Sequence, residues 1–217
     1  MRDKLLIFDM DNTVLQSRLN FPLMKETVHR VLDEYGFSEY KLNTTAKSIL
    51  AYENSNDCRA DVLNQILDEI KLVEKDGLEN AVLEPGAKAA LSFLQPCAIL
   101  VLLTNNDREA AMESLKRLGA DIFFDDIVGR DGSFKLKPEP DGVNYILDKY
   151  SFSKNDKVLV VGDAWNDAMA AAAAGVGFVA YNNSRSEDWD GQNIKPLLRL
   201  DHWDDDACKS ILALLGN

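Results

Sequence analysis

The chain has 217 residues, of which 46% are hydrophobic and 28% are charged, and its formal net charge at pH 7 is −12. This length exceeds one minimal domain and falls short of two full ones, which favours a core domain with a smaller insertion. The negative charge argues against nucleic acid or an anionic membrane as partner, because both require a cationic surface. An anionic small substrate would need a local positive charge, such as a metal ion and one lysine.

The three cysteines, Cys58, Cys97 and Cys208, lie far apart and lack paired spacing. They therefore indicate neither a disulfide framework nor a zinc site, and they favour a reducing compartment. The charged start and the very short apolar run after it are typical of a strand rather than of a signal peptide. The apolar stretch 168–181 is shorter than the roughly 18 residues that span a membrane. We expect a cytoplasmic protein with no membrane partner, either a monomer or a homodimer.

The first predicted element is a buried strand at 4–9, a short apolar run that ends in polar residues. No second strand-like run follows soon. Instead, apolar residues recur at helical spacing in three consecutive segments, and Pro22 and Gly36 suit the start and the stop of the first of these. These predicted helices cover residues 21–35, 44–52 and 57–72.

After the sequence Glu84-Pro85-Gly86, strands and helices alternate, which is typical of parallel α/β units. The predicted strands are at 98–103, 127–128, 157–161 and 176–181. The first predicted helix of this part ends near residue 94. The others cover residues 107–118, 140–150, 165–174 and 206–215. The pattern predicts an α/β fold, with a three-layer Rossmann-like parallel sheet built from residues 1–15 and 85–217. An all-helical insert occupies residues 16–84, after the first strand.

Four apolar runs stop abruptly at polar clusters, and the first of them is followed by Asp9 and Asp11. Ligands of open α/β sheets gather at the carboxyl ends of parallel strands, so this pair is the expected active centre. Side chains two residues apart can lean toward the same side of a strand. Two carboxylates at such a short distance repel each other unless a cation lies between them. The pair therefore predicts a hard divalent metal ion, and Mg²⁺ fits best. Taken alone, the pair also fits a turn before Asn12.

The second cluster begins with Thr104 and Asn105, straight after the apolar run 99–103. A hydroxyl and exposed backbone amides just before a helix suit phosphate oxygens, although a helix cap has the same pattern. The third candidate is Lys137, which Pro138 holds in extended geometry so that it projects from a stiff loop. An exposed surface lysine is the alternative for that residue.

The fourth cluster, at 162–167, follows the apolar run 158–161. If a helix starts near Ala164, Asp163 lies at its amino end and Asp167 lies one turn further on. Both carboxylates can then face one metal ion. Helix capping by Asp163 alone is the alternative.

Taken in order, these clusters resemble the four motifs of the haloacid dehalogenase-like hydrolase superfamily. The motifs are carried by residues 9–13, Thr104, Lys137 and 162–167. The resemblance spans essentially the whole chain. It is closest to the phosphoglycolate phosphatase-like branch, whose small helical cap is inserted soon after the first motif, where the insert 16–84 lies. One departure is Asn12, where many members have glycine, but asparagine tolerates the left-handed geometry of a turn.

The resemblance implies hydrolysis of a small phosphorylated metabolite, phosphoglycolate-like or a sugar phosphate, through an aspartyl-phosphate. Asp9 would be the nucleophile. Asp11 would first protonate the leaving alcohol and then activate the water. Thr104 and Lys137 would hold the phosphoryl group. An acid at position 11 favours phosphoryl transfer over dehalogenation, since dehalogenases generally lack one there.

The resemblance also implies how Mg²⁺ would be bound. The Asp9 side chain, the Asp11 backbone carbonyl and the Asp163 side chain would be its ligands, and Asp167 would support them from outside the ligand set. Substrate selection would rest with the cap, whose candidate residue is Arg59 in a polar loop.

Arg18, in a hinge segment of the cap, is the second candidate for substrate selection. Two alternatives to a phosphatase are a sugar-phosphate mutase of the same superfamily and a catalytically idle binding or regulatory protein with this fold.

Overall fold

The structure is a computed structural model, and it describes residues 2–154, 157–182 and 194–216. The chain divides into two compact units. The core unit comprises Met1–Ser17 and Ala81–Asn217, and the helical unit comprises Arg18–Asn80. The sequence placed the insert at 16–84, so the observed division falls slightly inside those limits.

The described strands are β1 (Lys4–Phe8), β2 (Leu15–Gln16), β3 (Val82–Leu83), β4 (Ile99–Asp107), β5 (Asp126–Arg130), β6 (Lys157–Gly162), β7 (Gly177–Tyr181) and β8 (Leu198–Leu200). The α-helices are α1 (Phe21–Glu34), α2 (Thr45–Glu53), α3 (Ala60–Glu79), α4 (Ala87–Leu94), α5 (Arg108–Leu118), α6 (Asp141–Tyr150), α7 (Trp165–Ala174) and α8 (Asp205–Leu214). Short 3₁₀ helices lie at Ser38–Tyr40 and Asp121–Phe123. Among the described residues, no helix is both long and apolar enough to cross a membrane.

Six strands form one parallel sheet in the order β5-β4-β1-β6-β7-β8, which confirms the predicted α/β fold. The central strand β1 pairs with β4 and β6, so that Phe8 lies opposite Leu102 and Val161. Residues 5–8 are fully buried, because helices cover both faces of a parallel sheet. The three strands therefore end side by side at one edge of the sheet.

Four strands depart from the sequence prediction. Strand β4 continues to Asp107 rather than stopping at 103, with a register shift against β5 between Leu103 and Asp107. Strand β8 was missed because three residues are too few to display a period. The two-residue strands β2 and β3 pair antiparallel, with Leu15 opposite Leu83, close in sequence to the junctions with the helical unit. They were not predicted either, because they too are too short to display a period.

In the helical unit, α3 runs to Glu79, seven residues beyond the predicted end at 72. Gly77 lies inside it, and a Cβ there would come within 2.8 Å of the Leu19 backbone. A glycine is therefore required by packing, because the chain at Leu19 passes directly over the helix. The backbone N–H of Arg18 also donates to the Gly77 carbonyl at 3.2 Å. Because glycine has a low helix propensity, a prediction made from propensity alone ends the helix before such a residue.

The loop after β1 is fixed by Trp203, which precedes α8. Its indole N–H donates to the Thr13 carbonyl at 2.8 Å. Its ring stacks on Tyr181 at 4.8 Å between centroids and lies 5.9 Å from Phe8. This aromatic cluster is buried, so the loop that carries Asp11 is anchored to the sheet.

The three cysteines are free thiols. Cys97 is exposed, Cys58 is partly buried and Cys208 is buried. Burial raises the pKa of the Cys208 thiol to about 11, so this thiol stays protonated and unreactive near neutral pH. Of the three, Cys208 is a packing residue of the core unit.

Candidate active site

The predicted site residues of the core unit converge at the carboxyl ends of the central strands. Asp9 follows β1, Thr104 lies near the end of β4, and Asp163 follows β6. Lys137 reaches the same place from the loop between β5 and α6, and Asp167 reaches it from the first turn of α7. All five side chains are buried. Residues that are far apart in the sequence thus form one buried polar cluster.

The ammonium group of Lys137 is held by three acceptors. It donates to Asp9 Oδ1 at 2.6 Å, to Asp167 Oδ1 at 2.6 Å and to the Leu103 carbonyl at 2.9 Å. These bonds engage all three of its protons. The charge of Lys137 is therefore fixed between two carboxylates, in a pocket where the lysine is 4% exposed.

Negative charge exceeds positive charge in this cluster. One carboxylate oxygen from each of Asp9, Asp163 and Asp167 lies within 4.8 Å of the others. Burial raises the pKa of the Asp9 carboxyl well above its ordinary value and the charge of Asp167 raises it further, while Lys137 opposes both effects. Burial lowers the pKa of Lys137, but the charges of Asp167 and Asp9 outweigh burial and raise it overall. A hard cation with oxygen ligands fits this set of donors.

Asp167 has both carboxylate oxygens engaged within the protein. Oδ1 accepts from Lys137, and Oδ2 accepts from the Ala164 backbone N–H at 3.1 Å, which secures the start of α7. Gly162 makes room for this carboxylate, because a Cβ there would come within 2.6 Å of the Asp167 side chain. Asp167 is thus placed to hold Lys137 and the helix start.

Asp11 follows in the loop, where Asn12 adopts the left-handed conformation with φ +57°. Asparagine tolerates this conformation better than most residues, in agreement with its place in a motif that more often has glycine. The Asp11 Oδ2 atom accepts a 2.6 Å hydrogen bond from Asn106 Nδ2. No role was predicted for Asn106, although it lies two residues after Thr104 and so on the same side of β4.

The side chain of Asn105 is bonded within the protein, and contact of Asn105 with phosphate stays a prediction. Its Nδ2 donates to the Lys137 carbonyl at 2.9 Å, and its Oδ1 accepts from the Lys137 N–H at 2.8 Å. The Asn105 carbonyl in turn accepts from Arg130 Nη1 at 2.7 Å. Both side-chain polar groups of Asn105 therefore hold the backbone of Lys137. The buried Arg130 was missed, because no local pattern marks an arginine that bonds a residue on the next strand.

Comparison with known proteins matches residues 4–175 to the model of the haloacid dehalogenase-like hydrolases. The chain belongs to this family. It is 29% identical over 187 residues to a phosphoglycolate phosphatase of Vibrio cholerae, which covers 79% of this chain and 81% of that protein. The resemblance inferred from the four motifs is thereby confirmed. This hydrolase is a phosphatase, that is, a phosphoric monoester hydrolase.

Solved structures share the fold of this hydrolase. A haloacid dehalogenase-like hydrolase from Bacteroides fragilis has a TM-score of 0.68 at 22% identity and covers 92% of this chain and 97% of its own. The hydrolase YfnB from Bacillus subtilis, solved bound to magnesium, has a TM-score of 0.63 at 19% identity and covers 100% of both chains.

The two arginines predicted for substrate selection belong to the helical unit. Arg59 precedes α3, pairs with Asp61 at 2.5 Å and lies over the Tyr35 ring at 5.4 Å from its centroid. Its side chain is 53% exposed. Arg18 is exposed. Contact of either arginine with substrate stays a prediction.

Replacing Gly162 by alanine will damage the site more than the fold of this hydrolase. The added methyl group must displace Asp167, which Lys137 and Ala164 hold in place. We expect a loss of about 1–3 kcal/mol in the free energy of unfolding and a loss of about 10²-fold in kcat/KM, because Lys137 loses its alignment. Chemical denaturation and steady-state kinetics measure the two effects.

Gly177→Ala is the matched control for that variant. A Cβ at Gly177, on β7, would meet the Leu159 side chain at 2.6 Å and the Leu197 side chain at 2.8 Å. This variant has a comparable steric conflict but no contact with the charged cluster. We expect it to lose stability and keep its kcat. Equal kcat values for Gly162→Ala and the wild type would contradict the assigned role of Asp167.

Proposed function

We propose that this phosphatase hydrolyses a small phosphorylated metabolite, phosphoglycolate-like or a sugar phosphate, with Mg²⁺ and through an aspartyl-phosphate on Asp9. The observation that carries the proposal is the buried cluster in which Lys137 contacts Asp9 while Asp163 and Asp167 lie within reach of the same point. A buried carboxylate beside a fixed ammonium and further acidic oxygens suits phosphoryl transfer, which depends on positioning and charge stabilisation.

Asp9 is the nucleophile in this proposal. Its carboxylate oxygen attacks phosphorus, a bond from that oxygen to phosphorus forms, and the bond from phosphorus to the leaving oxygen breaks. The Asp9 backbone N–H donates to the Val161 carbonyl at 2.8 Å, so its backbone is fixed where β1 meets β6. Such fixing favours a reactive geometry before the substrate arrives.

Asp11 is assigned two successive proton transfers. It gives a proton to the leaving alcohol in the first step and takes one from water in the second. Thr104 and Lys137 hold the phosphoryl group. The Thr104 Oγ1 atom accepts from the Asn106 N–H at 3.2 Å, which leaves its own proton available to donate toward a phosphoryl oxygen.

Mg²⁺ would be bound by the carboxylates of Asp9 and Asp163 and by the Asp11 backbone carbonyl, with Asp167 supporting them through Lys137. The acidic oxygens present fit a hard cation. Burial first, and then the charge of Asp167, raise the pKa of Asp9, and a cation would offset that charge. When bound, Mg²⁺ neutralises charge on the phosphoryl oxygens and orients them. The Bacillus subtilis relative bound to magnesium supports this assignment.

The substrate class follows from the relatives. The Vibrio cholerae relative is named a phosphoglycolate phosphatase, and the net charge of −12 disfavours large polyanions. We assign substrate selection to the helical unit, with Arg59 and Arg18 as the candidate residues.

A screen of phosphorylated small molecules, with and without Mg²⁺, tests the proposed function. We expect release of inorganic phosphate that depends on Mg²⁺ and is greatest for small alkyl phosphates. Product analysis separates the alternatives, since a mutase would return an isomerised sugar phosphate in place of free phosphate. No turnover of any phosphate ester would contradict the proposal.

Mg²⁺ should raise the thermal stability of the protein in a pH-dependent way. Without metal, the folded-state pKa of Asp9 lies above its unfolded value. Its contribution to stability is therefore complete below the unfolded pKa of about 3.9 and is lost as the pH rises through the folded value. Mg²⁺ needs the ionised carboxylate. At 100 times its dissociation constant and about pH 7.5, it should add about 2.7 kcal/mol, and less at about pH 5.

Differential scanning fluorimetry at both pH values measures this gain. Asp163→Asn is the control, because it removes one proposed ligand and should remove most of the gain at the higher pH. A gain of equal size at both pH values, or one unchanged in Asp163→Asn, would count against the proposed metal ligands.

A further inference from the structure

One neighbour of Asp11 has a contact that the four motifs do not explain. Asn106 Nδ2 donates to Asp11 Oδ2 at 2.6 Å. Asn106 is 4% exposed and lies near the carboxyl end of β4. Its own N–H is bonded to Thr104 Oγ1. The contact with Asp11 is therefore made by a buried group whose backbone is held by the strand, not by a mobile surface side chain.

We propose that Asn106 is a positioning residue that determines which oxygen of Asp11 carries the transferable proton. The inference rests on the proposed function, in which Asp11 is first an acid and then a base. An amide nitrogen only donates, and the carbonyl oxygen of a protonated carboxyl group is a better acceptor than its hydroxyl oxygen, so the contact favours the acidic proton on the other oxygen. The bond to Oδ2 thus assigns the proton to Oδ1 and fixes the plane of the carboxyl group.

The same orientation serves both half-reactions. In the first, an Asp9 oxygen bonds to phosphorus, the bond from phosphorus to the leaving oxygen breaks, and that oxygen takes the proton from Asp11 Oδ1. In the second, a water oxygen bonds to phosphorus, its proton passes to Oδ1, and the bond from phosphorus to Asp9 breaks. Both carboxyl groups return to their starting states. Without Asn106 the Asp11 carboxyl can rotate, and a misplacement of about 1 Å costs about 10²-fold in rate.

Loss of this bond has a kinetic signature that general damage to the site lacks. An alkyl phosphate has a poor leaving group that needs the proton, whereas p-nitrophenyl phosphate releases a stable phenolate that does not. Because kcat/KM reports the steps up to cleavage of the first bond, Asn106→Ala should lower it about 100-fold for an alkyl phosphate. The loss for p-nitrophenyl phosphate should be less than about 5-fold.

The second half-reaction gives an independent readout. Hydrolysis of the aspartyl-phosphate needs Asp11 as a base whatever the leaving group was. With p-nitrophenyl phosphate, Asn106→Ala should therefore lower kcat and KM together and keep kcat/KM. The phosphorylated enzyme should accumulate, and intact-protein mass spectrometry after an acid quench detects it.

The experiment compares both substrates in the presence of Mg²⁺ for a set of full-length variants. Asn106→Leu is included beside Asn106→Ala, because it removes the donor without leaving a cavity. Asp11→Asn is the benchmark and should show the same dependence on the leaving group, to a larger extent. Ser114→Ala, which removes a buried polar side chain from α5, is the control and should leave the ratio of the two substrates unchanged.

Equal losses on both substrates in folded Asn106 variants would overturn this inference and leave the proposed function intact. Failure of the proposed function gives a different result. In that case Asp11→Asn itself would show no dependence on the leaving group, or the wild type would never form a phosphorylated enzyme.

Discussion

Asp9→Asn is expected to reduce phosphate release by about 10⁴–10⁶-fold, the range seen when a catalytic nucleophile is removed. The amide cannot form the acyl-phosphate, and it keeps the shape of the side chain, so the carbonyl oxygen still accepts from Lys137. Stability should not fall, because burial and the charge of Asp167 oppose ionisation of Asp9, and because Lys137 keeps its bond to Asp167. A large loss of turnover with equal or higher thermal stability is the expected combination, measured by a phosphate-release assay and calorimetry.

Asp3→Asn is the matched control for Asp9→Asn. Asp3 lies before β1, its side chain is 68% exposed, and it pairs with Lys157 at 3.1 Å. The same chemical change at this surface pair should leave kcat unchanged and alter stability by less than about 1 kcal/mol. Substantial turnover in purified Asp9→Asn would reject Asp9 as the nucleophile.

Lys137→Met is expected to lower both activity and stability. The variant keeps a long buried side chain but leaves Asp9 and Asp167 facing each other without the ammonium that joins them. Breaking a buried ion pair from one side costs about 3–5 kcal/mol, and losing one donor to the phosphoryl group costs about 10²–10³-fold in kcat. Lys135→Met, two residues earlier on the same loop, is the control and should change neither quantity greatly.

A double variant separates the two losses. Lys137→Met combined with Asp167→Asn removes a negative charge along with the ammonium, so it should recover much of the stability lost by Lys137→Met alone. Activity should not recover, because no cation remains to hold the phosphoryl group. Full activity in either variant would contradict the role assigned to Lys137.

The meeting of Asp9, Thr104 and Asp163 could be predicted from the sequence because each follows or ends an apolar run. Parallel strands bring their carboxyl ends to one edge, so the clusters had to converge once the alternation of strands and helices was clear. Lys137 was a further candidate because Pro138 restricts it to extended geometry, and the family resemblance then implied its contact with the phosphoryl group. Apart from β8, the predicted strand–helix order from residue 84 onward was confirmed for the same reason, although the boundaries shifted.

The contacts between the clusters were beyond sequence reasoning. Asn105 bonds the backbone of Lys137, 32 residues further on, and Asn106 bonds Asp11, 95 residues earlier. Such pairs depend on the register between strands and on the direction of each side chain, which residue spacing does not encode. The same limit explains why Arg130 was not expected at all.

The most direct measurement is a crystal structure of the protein with Mg²⁺ and beryllium fluoride, which mimics a phosphoryl group on a carboxylate. The account predicts the fluoride adduct on an Asp9 oxygen and one Mg²⁺ bound by Asp9, Asp163 and the Asp11 carbonyl, with Lys137 beside the adduct. An adduct on any other residue, or a cation bound away from Asp163, would contradict it.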